Sequence, residues 1–166
     1  NIVADIVEPL PLKDNAFDII LCTEVLEHIP NPDSFVKELG RIVKPGGYCI
    51  GSVPFMHAVH YAPYDFYRYT NFALDRLFRA AGFTRTEIIP IGKPEEVYQT
   101  FHDRFFSAHL LGAHFSQHAA LDGLIKFFIR AIRKVQTLFF RAMKPLYPKL
   151  TEAPEYALAY CFKAYK

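Results

Sequence analysis

Apolar and polar positions alternate between two periods along this chain, and the periods predict its elements. Ile2 to Val7 is a short apolar run that predicts a strand. "EPLPLKDN" then predicts a loop, because Pro9 and Pro11 cannot donate to a ladder. Phe17 to Cys22 is apolar without alternation, which predicts a strand covered on both faces. The next stretch carries helix signals at both ends. Asn31 can cap, Pro32 suits the first helical position, Asp33 favours the positive end of the dipole, and Pro45-Gly46-Gly47 stops the run. Phe35, Val36, Leu39, Ile42 and Val43 form its apolar stripe.

"YCIGSVPF" predicts another strand. Thr70 can cap a second helix that carries Leu74, Leu77, Phe78 and Ala81 and ends at Gly82. "FTRTEIIPI" predicts a strand, residues 95 to 145 read as almost continuous helix, and "YALAYCFKAYK" closes the chain as a strand after Pro145, Pro148 and Pro154. Strands alternating with helices predict an α/β domain over residues 1–166, with helices on both faces of its sheet. Residues 95–150 read as a helical insertion within it.

Composition narrows this picture a little. The 166 residues suit one domain, and a formal net charge of +2 argues against a nucleic-acid partner bound across the whole surface. Cys22, Cys49 and Cys161 share no metal-ligand or redox spacing, so they read as reduced, buried thiols of a cytoplasmic protein. Asn1 opens the chain inside an apolar run, which reads as a chain whose true N-terminus lies upstream.

The turn from apolar to polar at Cys22-Thr23-Glu24 is the first sign of chemistry. In a wound sheet, ligands bind beyond the carboxyl ends of the strands, and this is such an end. The plainer alternative is that Thr23 and Glu24 cap the short helix that follows. The neighbouring residues bear on the choice. "ADIVEPLPLKDNAFDIILCTEVLEHIPNPDSFVKELGRIVKPGGYCIGSVP" resembles the class I S-adenosylmethionine-dependent methyltransferases of the small-molecule branch. The carriers are the Ala-Asp pair before a Leu-Pro loop, "FDII", "EVLEHI", "ELGRIVKPGG" and the strand after it. The resemblance runs from residue 2 to 92, and Tyr156 to Lys166 fits the last strand.

The resemblance implies a Rossmann-like, doubly wound, mostly parallel sheet whose last strand is antiparallel, with the insertion between the last two strands. It implies methyl transfer from S-adenosylmethionine to a small-molecule or lipid- or sugar-linked acceptor. Asp5 would accept a hydrogen bond from the adenine amino group and Ile6 would offer its backbone N–H, while Cys22 and Thr23 would line the methionine part. Asp5 as a loop cap is the alternative. The family's glycine-rich loop and ribose-binding acid have no counterpart after Asn1, so a catalytically inactive methyltransferase-like binding module is the competing reading. Glu24 and His28, four residues apart, are expected to pair.

"HAVHYAPYDFYRYT" (residues 57–70) follows a second carboxyl end. It resembles a loop of methyltransferases associated with sugar and polysaccharide pathways, with Asp65, Tyr67 and Arg68 as substrate-binding candidates. His57 and His60 are the catalytic candidates, because histidine is the side chain best suited to move a proton near neutral pH. Packing of a lid is the alternative. No metal site is expected: His57 and His60 give only two ligands, and His109, His114 and His118 lack a carboxylate.

Within the insertion, Leu124 to Lys144 predicts a basic amphipathic helix. Lys126, Arg130, Arg133, Lys134, Arg141 and Lys144 separate from Phe127, Phe128, Ile132, Val135, Leu138, Phe139 and Met143. Docking on the domain or in a homodimer is the favoured fate, which would bury Phe127, Phe139 and Met143. Peripheral contact with an anionic membrane is the alternative.

Overall fold

The structure is a computed structural model and describes residues 2–104, 119–143, 145 and 156–166. Its elements in chain order are β1 (Phe17–Thr23), α1 (Pro32–Ile42), β2 (Val43–Pro54), α2 (Asn71–Ala80), β3 (Arg85–Ile91), α3 (Pro94–Arg104), α4 (Ala119–Met143) and β4 (Ala159–Tyr165), with a 3-10 turn at Leu26–His28. The chain divides into two compact units, Asn1–Ile91 with Ala157–Lys166, and Gly92–Tyr156.

The first unit holds a four-stranded sheet in the order β1-β2-β4-β3. β1 and β2 are parallel, and β4 runs antiparallel to both β2 and β3. Three strands therefore point one way and the last one opposes them, with α3 and α4 between the last two strands, as the resemblance implied. Both caps form as their residue types predict. Asn31 accepts from the Ser34 amide at 3.3 Å, and Thr70 accepts from the Ala73 amide at 3.1 Å.

Inward side chains of the strands, Cys22, Cys49, Val53, Tyr160 and Phe162, make one core with Val36 and Leu39 of α1 and Leu74 and Phe78 of α2. Gly51 lies between them because it must: a Cβ there would overlap the carbonyl oxygen of Cys22. That close approach lets β1 and β2 pair Cys22 with Gly51 and Thr23 with Ser52, aligning two carboxyl ends.

Two expectations do not hold in this unit. Ile2–Val7 is not a strand. Among the described residues no strand pairs with it; Asp5 accepts from the Val7 amide at 3.1 Å, and the Glu8 amide bonds the Asp5 carbonyl at 3.3 Å. Nor is β1 covered on both faces. Ile20 and Cys22 face the helices, whereas Ile19 and Leu21 are 53% and 72% exposed.

In the second unit, Tyr98 of α3 stacks on Phe140 of α4 with ring centroids 4.4 Å apart. Asp122 pairs with Lys126 one turn on at 2.8 Å. Ile129 is buried, but Phe127 and Phe139 are 61% and 57% exposed and Met143 is half-buried. His109, His114, His118 and Lys144 lie outside the described residues. Among the described residues, no helix is long and apolar enough to cross a membrane.

Candidate functional site

β1 ends at Thr23 and the backbone then turns sharply. Glu24 has φ +51°, a left-handed conformation that a glutamate rarely takes. Its amide bonds the Ser52 carbonyl at 2.9 Å and its carboxylate accepts from the Ser52 hydroxyl at 2.7 Å. The expected Glu24–His28 pair does not form. The chain between them is a 3-10 turn, not an α-helix, and Glu24 is tied to β2 instead.

The turn at Leu26–His28 presents Glu27 inward. Glu27 is fully buried, and among the described residues neither carboxylate oxygen has a hydrogen-bond partner of good geometry. Burial pushes its carboxyl above the ordinary range. The Glu24 charge adds to that push, while its own backbone amide and the two imidazoles nearby oppose it. Those imidazoles are His28, whose Nε2 lies 3.6 Å from Glu27 Oε1, and His60, whose Nε2 lies 3.9 Å from the same oxygen.

His60 comes from the loop after β2, and that loop is bonded onto the turn. The Phe66 amide donates to the Glu27 carbonyl at 2.8 Å, and the Tyr69 hydroxyl donates to the Leu26 carbonyl at 3.1 Å. His28 Nδ1 lies 2.6 Å from the Tyr64 carbonyl oxygen. A carbonyl only accepts, so Nδ1 carries the proton and Nε2 keeps a lone pair.

Arg68 holds the loop's shape. Its guanidinium bonds both Asp65 oxygens, at 2.6 and 2.7 Å, and also the carbonyls of His57, Ala58 and Tyr67. The Asp65 side chain is 1% exposed, also accepts from the His60 amide at 2.7 Å, and is held well below the ordinary carboxylate range by Arg68. The Tyr67 hydroxyl donates to the Pro30 carbonyl at 3.0 Å. Asp65, Tyr67 and Arg68 thus have their polar atoms engaged within the protein.

The other candidates lie as follows. The His57 and His60 rings meet edge-on, 5.2 Å between centroids. Cys22 is buried, and its thiol is pushed up to about 12 by burial and by Glu27, so it is no nucleophile. Thr23 stands exposed beside it. Asp5 and Ile6 sit in the exposed N-terminal turn, and among the described residues no hydrogen bond reaches Asp5 Oδ2. Glu27 was missed by sequence reasoning, because spacing alone does not show which way a 3-10 turn aims its side chains. The signal available was a second glutamate beside a histidine at a strand's carboxyl end.

Residues 1–51 match the family model described as a methyltransferase domain. A ubiquinone biosynthesis O-methyltransferase of Psychrobacter arcticus is 32% identical over 90 residues, covering 44% of this chain and 35% of that protein, so the chain spans about a third of that relative's length. Among solved structures, a SAM-dependent methyltransferase from Archaeoglobus fulgidus aligns with 99% of this chain and 66% of its own, at a TM-score of 0.56 and 16% identity. The [4+2]-cyclase SpnF aligns with 98% of this chain and 54% of its own, at a TM-score of 0.51 and 21% identity. At those identities the two likenesses speak for the fold alone. Over residues 1–51 the chain is thus similar to methyltransferase domains, and its first unit shares the Rossmann-like fold of the solved methyltransferases.

Proposed function

We propose that the complete protein transfers a methyl group from S-adenosylmethionine to a small-molecule or lipid- or sugar-linked acceptor. The observation that carries this reading is the course of the matched segment: it runs through β1 into the Thr23–His28 turn and ends in the middle of β2, whose carboxyl end launches the loop bearing His57 and His60. Polar groups from two adjacent carboxyl ends therefore converge where ligands of wound sheets bind.

The residues suit the cofactor on chemical grounds. Asp5 keeps an unbonded carboxylate oxygen for an amino donor, and Thr23 exposes its end of β1. Bound, S-adenosylmethionine supplies an electrophilic methyl for in-line displacement by an acceptor atom. The chain's own part is to orient that acceptor and take its proton. His57 is the group assigned the proton. Its Nδ1 lies 3.0 Å from the Ala58 carbonyl and so carries the hydrogen, leaving Nε2 as the basic atom. His60 packs against its ring.

A lipid-linked acceptor is favoured by α4. Leu124, Phe128, Ile132, Val135 and Phe139 form an exposed apolar stripe, and Arg130, Arg133, Lys134 and Arg141 line a shallow groove next to it. An exposed apolar stripe edged with cations matches the surface of an anionic membrane.

Calorimetry on the complete protein tests the cofactor. Binding of S-adenosylmethionine or its demethylated product is expected, and Asp5→Ala is expected to weaken it by about 1–3 kcal/mol. Absence of heat with both ligands overturns the reading.

A further inference from the structure

We propose that Glu27, His28 and His60 form a binding site for one divalent transition-metal cation. Glu27 Oε1, His28 Nε2 and His60 Nε2 all lie within 4.8 Å of one another. Two donors held tetrahedrally at about 2.1 Å from a metal lie about 3.4 Å apart. The two carboxylate–imidazole separations, 3.6 and 3.9 Å, are close to that spacing and too long for hydrogen bonds. The three side chains are thus spaced for an ion between them rather than for direct bonding.

Glu27 makes the strongest demand for a ligand. A fully buried carboxylate normally accepts several hydrogen bonds, and this one accepts none among the described residues. A cation on Oε1 would answer that deficit.

The surroundings hold His28 in ligating form and give His60 a carboxylate neighbour on its far nitrogen. The Tyr64 carbonyl fixes the proton of His28 on Nδ1 and frees Nε2. His60 Nδ1 lies 3.3 Å from Arg68 Nη2, which only donates, and 3.4 Å from Asp65 Oδ2, so His60 binds a metal through Nε2 once its proton has moved to Nδ1, on the Asp65 side. A carboxylate or carbonyl behind each imidazole is how metal-bound histidines are oriented. The charge also favours a cation: Glu24, Glu27 and Asp65 stand against the single guanidinium of Arg68.

Two imidazole nitrogens and one carboxylate oxygen suit Mn²⁺, Fe²⁺, Co²⁺, Ni²⁺ or Zn²⁺. They do not suit Ca²⁺ or Mg²⁺, which prefer oxygen alone. His28 and His60 are 23% and 32% exposed, which leaves a way in and open positions for water or another oxygen ligand. His57 stays outside the set, so the metal and the proposed base do not compete. The proposal is independent of the methyl-transfer reading.

The test uses the complete protein, stripped with chelator and titrated with Co²⁺. Visible absorption reports ligation, and calorimetry with Mn²⁺ and Zn²⁺ gives stoichiometry and affinity. One equivalent is expected to bind, with Co²⁺ bands characteristic of mixed nitrogen and oxygen ligands. Glu27→Gln and His60→Gln are each expected to weaken binding at least tenfold, while His102→Gln in the second unit leaves it unchanged. Mn²⁺ should raise the melting temperature of the wild type and not of Glu27→Gln. Should Glu27→Gln fail to fold, His60→Gln decides the matter, since that side chain is partly exposed. Absence of binding, or binding that His60→Gln leaves intact, overturns the proposal.

Discussion

The loop from Phe55 to Tyr69 and helix α4 are both crowded with aromatic side chains, yet they meet their surroundings in opposite ways. Two of the loop's four tyrosines and its arginine are bonded to named atoms: Tyr67 to Pro30, Tyr69 to Leu26, Arg68 to Asp65 and three carbonyls. The phenylalanines of α4 have no polar atoms, and Phe127, Phe128 and Phe139 stand exposed. A tyrosine joins an apolar body to a directional bond, so it can fix a loop around a site. A phenylalanine contributes area without direction, so it suits a surface that receives something broad.

Breaking the loop's clamp should give the largest effect. Arg68→Ala leaves the buried Asp65 carboxylate without its partner, and the expected loss is roughly 3 kcal/mol in urea unfolding. That is the low end for a buried pair, because Arg68 itself is 23% exposed. Arg68→Lys should recover little, since an ammonium cannot fork across both oxygens. The clamp also sets a pH dependence. Arg68 lowers the folded-state value of Asp65, so its contribution to stability is complete above about pH 4 and fades as pH falls through the depressed value. Urea midpoints of the wild type should fall in that acid window by more than those of Asp65→Asn; equal falls would show that the clamp adds no stability.

The α4 surface should respond to charge instead. Lys126→Glu/Arg130→Glu/Lys134→Glu is expected to weaken co-sedimentation with phosphatidylserine vesicles by about 1 kcal/mol for each reversed residue near the surface. Wild-type binding should fall as salt rises. If the wild type does not pellet but sediments as a dimer that the triple variant or Phe139→Ser dissociates, the stripe belongs to a second copy of the chain.

The smallest expected change sharpens the contrast most. Phe139→Ala should leave the unfolding free energy within about 0.5 kcal/mol of the wild type, as for any exposed side chain. A buried phenylalanine would cost about 3–5 kcal/mol. A loss in that range would mean that α4 is covered in solution.

Local signals determined much of the fold. The apolar runs gave β1, β2, β3 and β4, Asn31 and Thr70 formed the caps their types favour, and Gly82 takes the left-handed end of its helix. These features depend on neighbours in sequence, so they are legible there. The convergence of His57 and His60 on the end of β1 was also legible, because strand direction follows from connectivity. What only the tertiary structure decided were the features that depend on distant partners. Ile2–Val7 has strand composition, yet no strand among the described residues pairs with it. Glu24 bonds Ser52, 28 residues on, and not His28 in its own turn. Glu27 and His60 are 33 positions apart and face each other only because the loop after β2 is bonded onto the turn after β1. Periodicity reports which face of an element is buried; it does not report which buried groups from separate elements share a cavity, because that is set by how the elements pack.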